Sequence, residues 1–268
     1  MTGGSLTVVG SGIRLLSQWT PEARCAIEAA DRVLHDGDAA TLQAVRAWNP
    51  RTEPLDGACH PGQPRQAAYL RMVERILREV RRGLHLCVIF YGHPAVFVFA
   101  SHEAVRRCRL EGIPARMLPG ISAEDCLLAE LGVDPGMRGC QCFEATEFLL
   151  RSKVFDAASP LLLWQIGLAG QMGYEAEPNR AARRLLADTL ATRYGPDHRV
   201  TAYQAAQFPV CPSVIQSFPL RDLEETDLSP FATLYVPPAR VAEPDAEMAR
   251  RLGIPPEMIG GSHPGGRP

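Results

Sequence analysis

The run Phe90-Tyr91-Gly92-His93-Pro94, continuing Ala95-Val96-Phe97, does most to restrict what this chain can fold into. It follows residues 84–90, an apolar stretch with the length and character of a buried strand. A strand that ends in an aromatic residue, a glycine and a proline must turn abruptly at the carboxyl edge of its sheet. The glycine lets a ligand or another backbone come close, and the proline sets the direction of exit. Open α/β sheets bind ligands at that edge. A second run, Met117-Leu118-Pro119-Gly120-Ile121-Ser122-Ala123-Glu124-Asp125, repeats the arrangement within one βαβ length. Two such loops point to a small-molecule site built from main chain.

The surrounding pattern supports an α/β layer. Residues 5–10 read as a first buried strand, followed by the tight loop Gly10-Ser11-Gly12. Thr20-Pro21-Glu22 is a helix start, with threonine at the N-cap, proline at the first helical position and an acid in the first turn, and the helix runs to about Ala30. Residues 32–35 look like a short strand, and the proline-rich residues 48–64 like loop. Tyr69, Met72, Val73, Ile76, Leu77 and Val80 recur at helical spacing through residues 65–82, and Gly83 ends that helix. Helices over 101–111, capped by Ser101, and 122–131, capped by Ser122, flank a strand at 115–118. From Ser159-Pro160 the pattern changes. A strand over 161–167, a helix over 179–192 capped by Asn179, and strands at 199–203 and 232–236 are separated by the turn-rich residues 204–227. The expected organisation is an α/β domain over 1–155, a mixed α/β domain over 156–240 and a mobile tail over 241–268.

A chain of 268 residues with 46% hydrophobic and 22% charged content can bury a full core unaided. A net charge of -2 gives no reason to expect nucleic acid or an anionic membrane as partner. Arg75, Arg78, Arg81 and Arg82, interleaved with Glu74 and Glu79, read as a solvated helix face. The N-terminus has no basic and apolar leader pattern and no apolar run reaches membrane-spanning length, so a cytoplasmic protein is expected. Of the eight cysteines only Cys140 and Cys142 are close in sequence, and one C-x-C lacks the second pair of a zinc site, so reduced thiols and no metal are expected. His35, His60 and His102 stand at no metal spacing. Gly10-Ser11-Gly12 opens like a dinucleotide fingerprint and then departs from it. Leu15 stands where a third glycine belongs, and no acid is identified at the strand end about 20 residues on.

The order of these loops resembles the tetrapyrrole (corrin and porphyrin) methylase fold of S-adenosylmethionine-dependent methyltransferases. The resemblance rests on Val8-Val9-Gly10-Ser11-Gly12, Tyr91-Gly92-His93-Pro94, Pro119-Gly120-Ile121-Ser122-Ala123 and Gln165-Ile166-Gly167, in that order, and covers about residues 6–238. Within the fold, Gly92 to Phe97, Ala115 to Cys126, Gly139 to Thr146, Tyr194 to His198 and Thr233 to Pro238 are similar to the methyltransferase domain of borosin systems. Those enzymes methylate backbone amides of a peptide, carried on their own C-terminus or supplied separately.

The resemblance implies two α/β domains with the cofactor cleft between them, S-adenosylmethionine as cofactor, and a homodimer. It implies cofactor contacts, largely through main chain, at Tyr91, His93, Val96, Ser122, Ala123, Gln165, Ile166, Tyr203, Ala205 and Thr233. Ser122 has two compatible readings, helix cap and cofactor contact. The resemblance also implies a catalytic cluster of Arg65, Tyr69 and Tyr91. Arg65 and Tyr69, at i and i+4, share one face of their helix. The chain departs from the family at Asp56, where related enzymes have a tyrosine. Asp56 is read either as a base or as the mark of a different acceptor. Residues 250–268 contain no apolar, repeat-like peptide, so a precursor peptide acting as partner is expected to be a separate chain. Methylation of a tetrapyrrole-like or other small molecule, and an inactive cofactor- or peptide-binding module, are the other two readings.

Overall fold

The computed structural model describes residues 3–55, 65–171, 173, 177–255 and 258. The first half alternates strand and helix: β1 (Ser5–Gly10), α1 (Pro21–Ala29), β2 (Arg32–Asp36), α2 (Ala39–Trp48), β3 (Thr52–Pro54), α3 (Arg65–Arg81), β4 (His85–Phe90), α4 (Phe99–Leu110), β5 (Ala115–Met117), α5 (Ala123–Leu131) and α6 (Pro135–Arg138). The second half comprises β6 (Gln141–Glu144), α7 (Ala145–Leu150), β7 (Leu161–Trp164), α8 (Arg180–Tyr194), β8 (Arg199–Gln204), β9 (Val214–Pro219), β10 (Thr233–Val236) and α9 (Ala246–Arg251).

Two five-stranded sheets result. The first has the order β3-β2-β4-β1-β5 and is parallel throughout, which requires crossover helices on its faces. Alternating side chains divide its core. Leu6, Val8, Leu86, Val88 and Phe90 pack under α3 and α4, while Val9, Cys87 and Ile89 pack under α1. The register places Gly10 and Asp36 on either side of Phe90, so β1, β2 and β4 end together at one carboxyl edge. The second sheet, β6-β7-β10-β8-β9, is antiparallel apart from the β6–β7 pair and surrounds its own core with α7 and α8. Ile13, Leu127, Leu162 and Tyr203 join the two halves in a smaller cluster. Sheet membership changes between Met117 and Gln141, ahead of residue 155. No helix among the described residues is long and apolar enough to cross a membrane.

Several elements differ from the sequence expectation for local reasons. Helix α4 starts at Phe99, two residues before Ser101. The Ser101 hydroxyl donates back to the carbonyls of Pro94 and Val98, so it anchors the preceding loop and caps nothing. Strand β7 stops at Trp164, because Gln165 enters the left-handed region and residues 166–168 form a 3-10 turn. Gly167 in that turn lies so near the Ser229 carbonyl that a Cβ would come within 2.2 Å of it. Strand β3 lies within the expected loop over 48–64, and β9 within the turn-rich 204–227. The expected mobile tail contains α9, N-capped by Asp245. Residues 259–268 lie outside the described residues.

The basic face of α3 is also more than a solvated surface. Glu79 is buried, and Arg32 and Arg82 approach its carboxylate at 3.1 and 3.2 Å. Arg75 reaches Glu53 on β3 at 2.7 Å, and Arg107 of α4 reaches Glu74 at 2.7 Å. These pairs tie α3 to the sheet edge below it and to α4 beside it. Glu79→Gln keeps the shape and removes the charge that the arginines converge on. It is expected to cost about 2–3 kcal/mol of stability in urea unfolding, while Arg78→Ala, at the exposed end of the same cluster, costs under about 0.5 kcal/mol.

Candidate functional site

Three loops meet at the carboxyl edge of the first sheet through glycines. Gly12 and Gly92 exchange backbone hydrogen bonds of 3.2 and 3.0 Å, and both have positive φ (69° and 71°), which favours glycine. A Cβ on Gly10 would stand 2.1 Å from the Gly92 carbonyl oxygen, and one on Gly120 would stand 3.0 Å from the same oxygen. Gln18 holds the first loop from beneath, its Oε1 accepting from the amides of Ile13 (2.7 Å) and Arg14 (2.9 Å). The Leu15 amide donates to the Gln207 carbonyl at 2.7 Å, so this loop also touches the segment after β8.

Beyond the glycines opens a cavity of about 560 Å³ whose walls come from both halves. Among the expected cofactor residues, Tyr91, His93, Val96, Ser122, Ala123, Gln165, Ala205 and Thr233 line it. Ile166 and Tyr203 do not. Both are buried, Ile166 in the second core and Tyr203 in the cluster between the halves, because each turns into the packing under its loop. His93 Nδ1 accepts from the Ala95 amide at 3.0 Å, which leaves Nε2 as the donor of the neutral ring. Ser122 is a helix cap in a full capping box, its hydroxyl accepting from the Asp125 amide while the Asp125 carboxylate accepts from the Ser122 amide.

Of the expected catalytic cluster, Tyr69 and Tyr91 line the cavity. Arg65 stands behind the wall, donating to Gln165 Oε1 at 3.3 Å and to the Gln171 carbonyl at 2.8 Å, and so joins α3 to the second half. Asp56 lies outside the described residues. Burial pushes the Tyr91 phenol above its ordinary pKa, partly offset by a hydrogen bond with Gln207, although 45% of the residue remains exposed.

Among the described residues, Leu16, Phe97, Gln165 and Ser152 are the non-glycines with positive φ, and the first three line the cavity. Such backbone costs on the order of 1–2 kcal/mol per residue and persists where the surroundings over-determine it. Phe97, held this way, packs edge-on against Trp164 of β7 at 5.9 Å between ring centres. Leu16, Tyr91, Phe97, Phe99, Phe208 and Phe231 are all exposed lining residues, giving the cavity an apolar mouth.

The sequence profile of the tetrapyrrole (corrin/porphyrin) methylases matches residues 5–207. This chain belongs to that family of methyltransferases. It is 41% identical over 257 residues to the methyltransferase/ribosomally synthesized cyclic peptide gymnopeptides precursor of Gymnopus fusipes, covering 94% of this chain and 61% of that protein. It is 37% identical over 261 residues to the type I borosin cyclic peptide precursor of Serendipita vermifera subsp. bescii, covering 95% of this chain and 64% of that protein. The methyltransferase/omphalotin A precursor of Omphalotus olearius is likewise 37% identical, over 94% of this chain and 62% of its own length. The chain therefore spans between 61% and 64% of these relatives. The crystal structure of uroporphyrin-III-C-methyltransferase from Thermus thermophilus superposes with a TM-score of 0.61 at 19% identity, covering 97% of this chain and 98% of that one. The methyltransferase CobJ gives the same TM-score and identity over 90% of this chain and 98% of its own. At that identity the likeness speaks for the fold alone.

The cavity also holds an acid that the sequence pattern left unidentified. Asp36 is the last residue of β2, at the strand-end position where no acid had been found, and it lines the cavity. Burial raises its pKa to about 6. The signal was available in the sequence, since the strand read over 32–35 places Asp36 directly at its end. A carboxyl with a raised pKa stabilises the fold fully below its ordinary pKa, and that contribution is lost as pH rises through about 6. Asp36→Asn should therefore gain on the parent protein between pH 4 and 6 by on the order of 2 kcal/mol and hold that advantage above pH 7, as read by urea unfolding across pH. Gly10→Ala tests the glycine junction. It should cost at least about 2 kcal/mol in the same assay and should weaken S-adenosylhomocysteine binding in calorimetry.

Proposed function

We propose that this chain transfers methyl groups from S-adenosylmethionine to backbone amide nitrogens of a precursor peptide supplied as a separate chain. The observation that carries the proposal is the presence of two phenols, Tyr69 and Tyr91, in one cavity with an apolar mouth. The names of the relatives, each a methyltransferase joined to a cyclic-peptide precursor or a borosin precursor, support a peptide acceptor.

The cavity fits the cofactor in kind. It has the volume of a small-molecule site, and Gly12, Gly92, Ser122, Ala123 and Ala205 contribute small residues to its wall, where a nucleoside can approach the main chain. The glycine junction keeps Cβ atoms out of that wall. In this reading Tyr91, His93, Val96, Ser122, Ala123, Gln165, Ala205 and Thr233 hold S-adenosylmethionine, and Ile166 and Tyr203 support the loops that do so. When bound, S-adenosylmethionine supplies an electrophilic methyl group.

An amide nitrogen is a poor nucleophile because its lone pair is delocalised into the carbonyl. The protein must engage the N–H and stabilise negative charge on the oxygen. Tyr91 retains its proton through the neutral range, since burial raises its pKa, and is suited to donate a hydrogen bond to the carbonyl oxygen. Tyr69 is assigned to the N–H. Arg65, one helical turn before Tyr69 on α3, adds positive charge behind the wall and is oriented by Gln165 and Gln171. The apolar mouth receives the acceptor's side chains. A cytoplasmic homodimer belongs to the same reading, and light scattering tests the dimer.

The proposal is tested by calorimetric titration with S-adenosylhomocysteine, followed by incubation with S-adenosylmethionine and short peptides encoded beside this chain's own gene. One-to-one binding and a mass gain in whole methyl groups, placed on backbone nitrogens by fragmentation, are expected. Binding without methylation of any peptide favours the inactive-module reading, and methylation confined to small molecules overturns the peptide acceptor. Tyr69→Phe and Arg65→Ala should each lower turnover by at least ~100-fold with cofactor affinity within a few fold of the parent, and full activity in both removes the cluster assignment.

A further inference from the structure

One group of donor atoms beside the cavity has no part in the methyl-transfer scheme. Cys140 directly precedes β6 and Cys142 lies within it, and the alternation of an extended chain turns both thiols to one side. Across from them stands Glu124, in the first turn of α5. The Cys140 and Cys142 sulfurs are 3.9 Å apart, Cys142 Sγ is 3.4 Å from Glu124 Oε1, and the three donor atoms all lie within 4.8 Å of one another. All three residues are half-buried, and they are the only such group of metal-ligand donors among the described residues.

These separations have a chemical meaning. With Zn–S near ~2.3 Å and Zn–O near ~2.0 Å, a tetrahedral centre sets two sulfurs ~3.8 Å apart and a sulfur and an oxygen ~3.5 Å apart. The observed 3.9 and 3.4 Å match the first two edges, and the remaining Cys140–Glu124 edge lies within 4.8 Å. A disulfide, by contrast, needs its sulfurs at ~2.05 Å and an oxidant to form. We propose that Cys140, Cys142 and Glu124 form a binding site for a thiophilic divalent cation of the zinc class. Binding releases the two thiol protons to solvent and takes up both thiolates and the carboxylate as ligands, with the fourth position left for water. Glu124 lines the cavity, which provides the path of entry.

The ion has a structural consequence. Helix α5 begins at the carboxyl edge of the first sheet, whereas β6 is an edge strand of the second. A shared cation therefore fastens one half to the other at the cavity wall. Sequence alone could not find the site, because it shows one C-x-C and no second pair. The third donor comes from a residue 16 positions before Cys140, brought in by the fold.

The test is titration of the reduced, metal-free chain with Cd2+, reading the thiolate-to-cadmium charge-transfer absorption, then competition with Zn2+. One Cd2+ per chain, displaced by Zn2+, is expected. Cys140→Ser and Cys142→Ser should each weaken binding at least ~100-fold and Glu124→Gln at least ~10-fold, while Cys25→Ser and Cys211→Ser bind as the parent does. Zn2+ should raise the melting temperature of the parent and leave that of Cys142→Ser unchanged. If a serine variant fails to fold in metal-free buffer, Glu124→Gln carries the test, since it retains both thiols. No saturable absorption at stoichiometric Cd2+, or an absorption that survives loss of Cys140 and Cys142, overturns the proposal.

Discussion

The structure depends on the backbone contact among Gly10, Gly92 and Gly120. Parallel pairing of β1 with β4 and β5 brings three strand ends to one edge, and all three must turn there. The loops can occupy the same space only because no side chain stands between them, a Cβ on Gly10 coming within 2.1 Å of the Gly92 oxygen. Gly92 of this junction, with Gly12 bonded to it, lines the cavity.

The second sheet completes what the first sheet begins. Phe97 reaches Trp164, Leu15 bonds to Gln207, and Arg65 reaches Gln165 and Gln171. Three cavity-lining residues, Leu16, Phe97 and Gln165, sit in unfavourable left-handed backbone. The pairing of Phe97 with Trp164 and the bond from Arg65 to Gln165 show what holds two of them there. The cavity is thus walled by both halves and lined by exposed apolar side chains where it opens.

Most arginine and glutamate pairs lie on α3, α4 and the outer helices, and the most buried of them, around Glu79 of α3, lies away from the cavity. The acids that do face inward are Asp36 at the end of β2, Asp38 at the start of α2 and Glu124 at the start of α5. Each is at the end of an element, where backbone polarity is already unpaired.

The sequence by itself determined the local elements whose signals are local. The apolar character and length of residues 5–10 and 84–90 define buried strands, Thr20-Pro21 and Asn179 start helices, and Gly83 ends one, because propensity and capping act within one turn of chain. The loop motifs likewise marked where a ligand could be held, and most of the residues read from them line one cavity. Only the tertiary structure decided what depends on neighbours distant in sequence. Ser101 anchors a loop and caps nothing, Gln165 turns the chain out of its strand, and Ile166 and Tyr203 face the core, because each answers to packing from another segment. The short strands β3, β6 and β9 gain stability mainly from pairing, which their own composition does not encode. The position of Asp36 in the cavity and the meeting of Glu124 with Cys140 and Cys142 depend on which strands lie side by side, a property of the sheet order and not of any single stretch of chain.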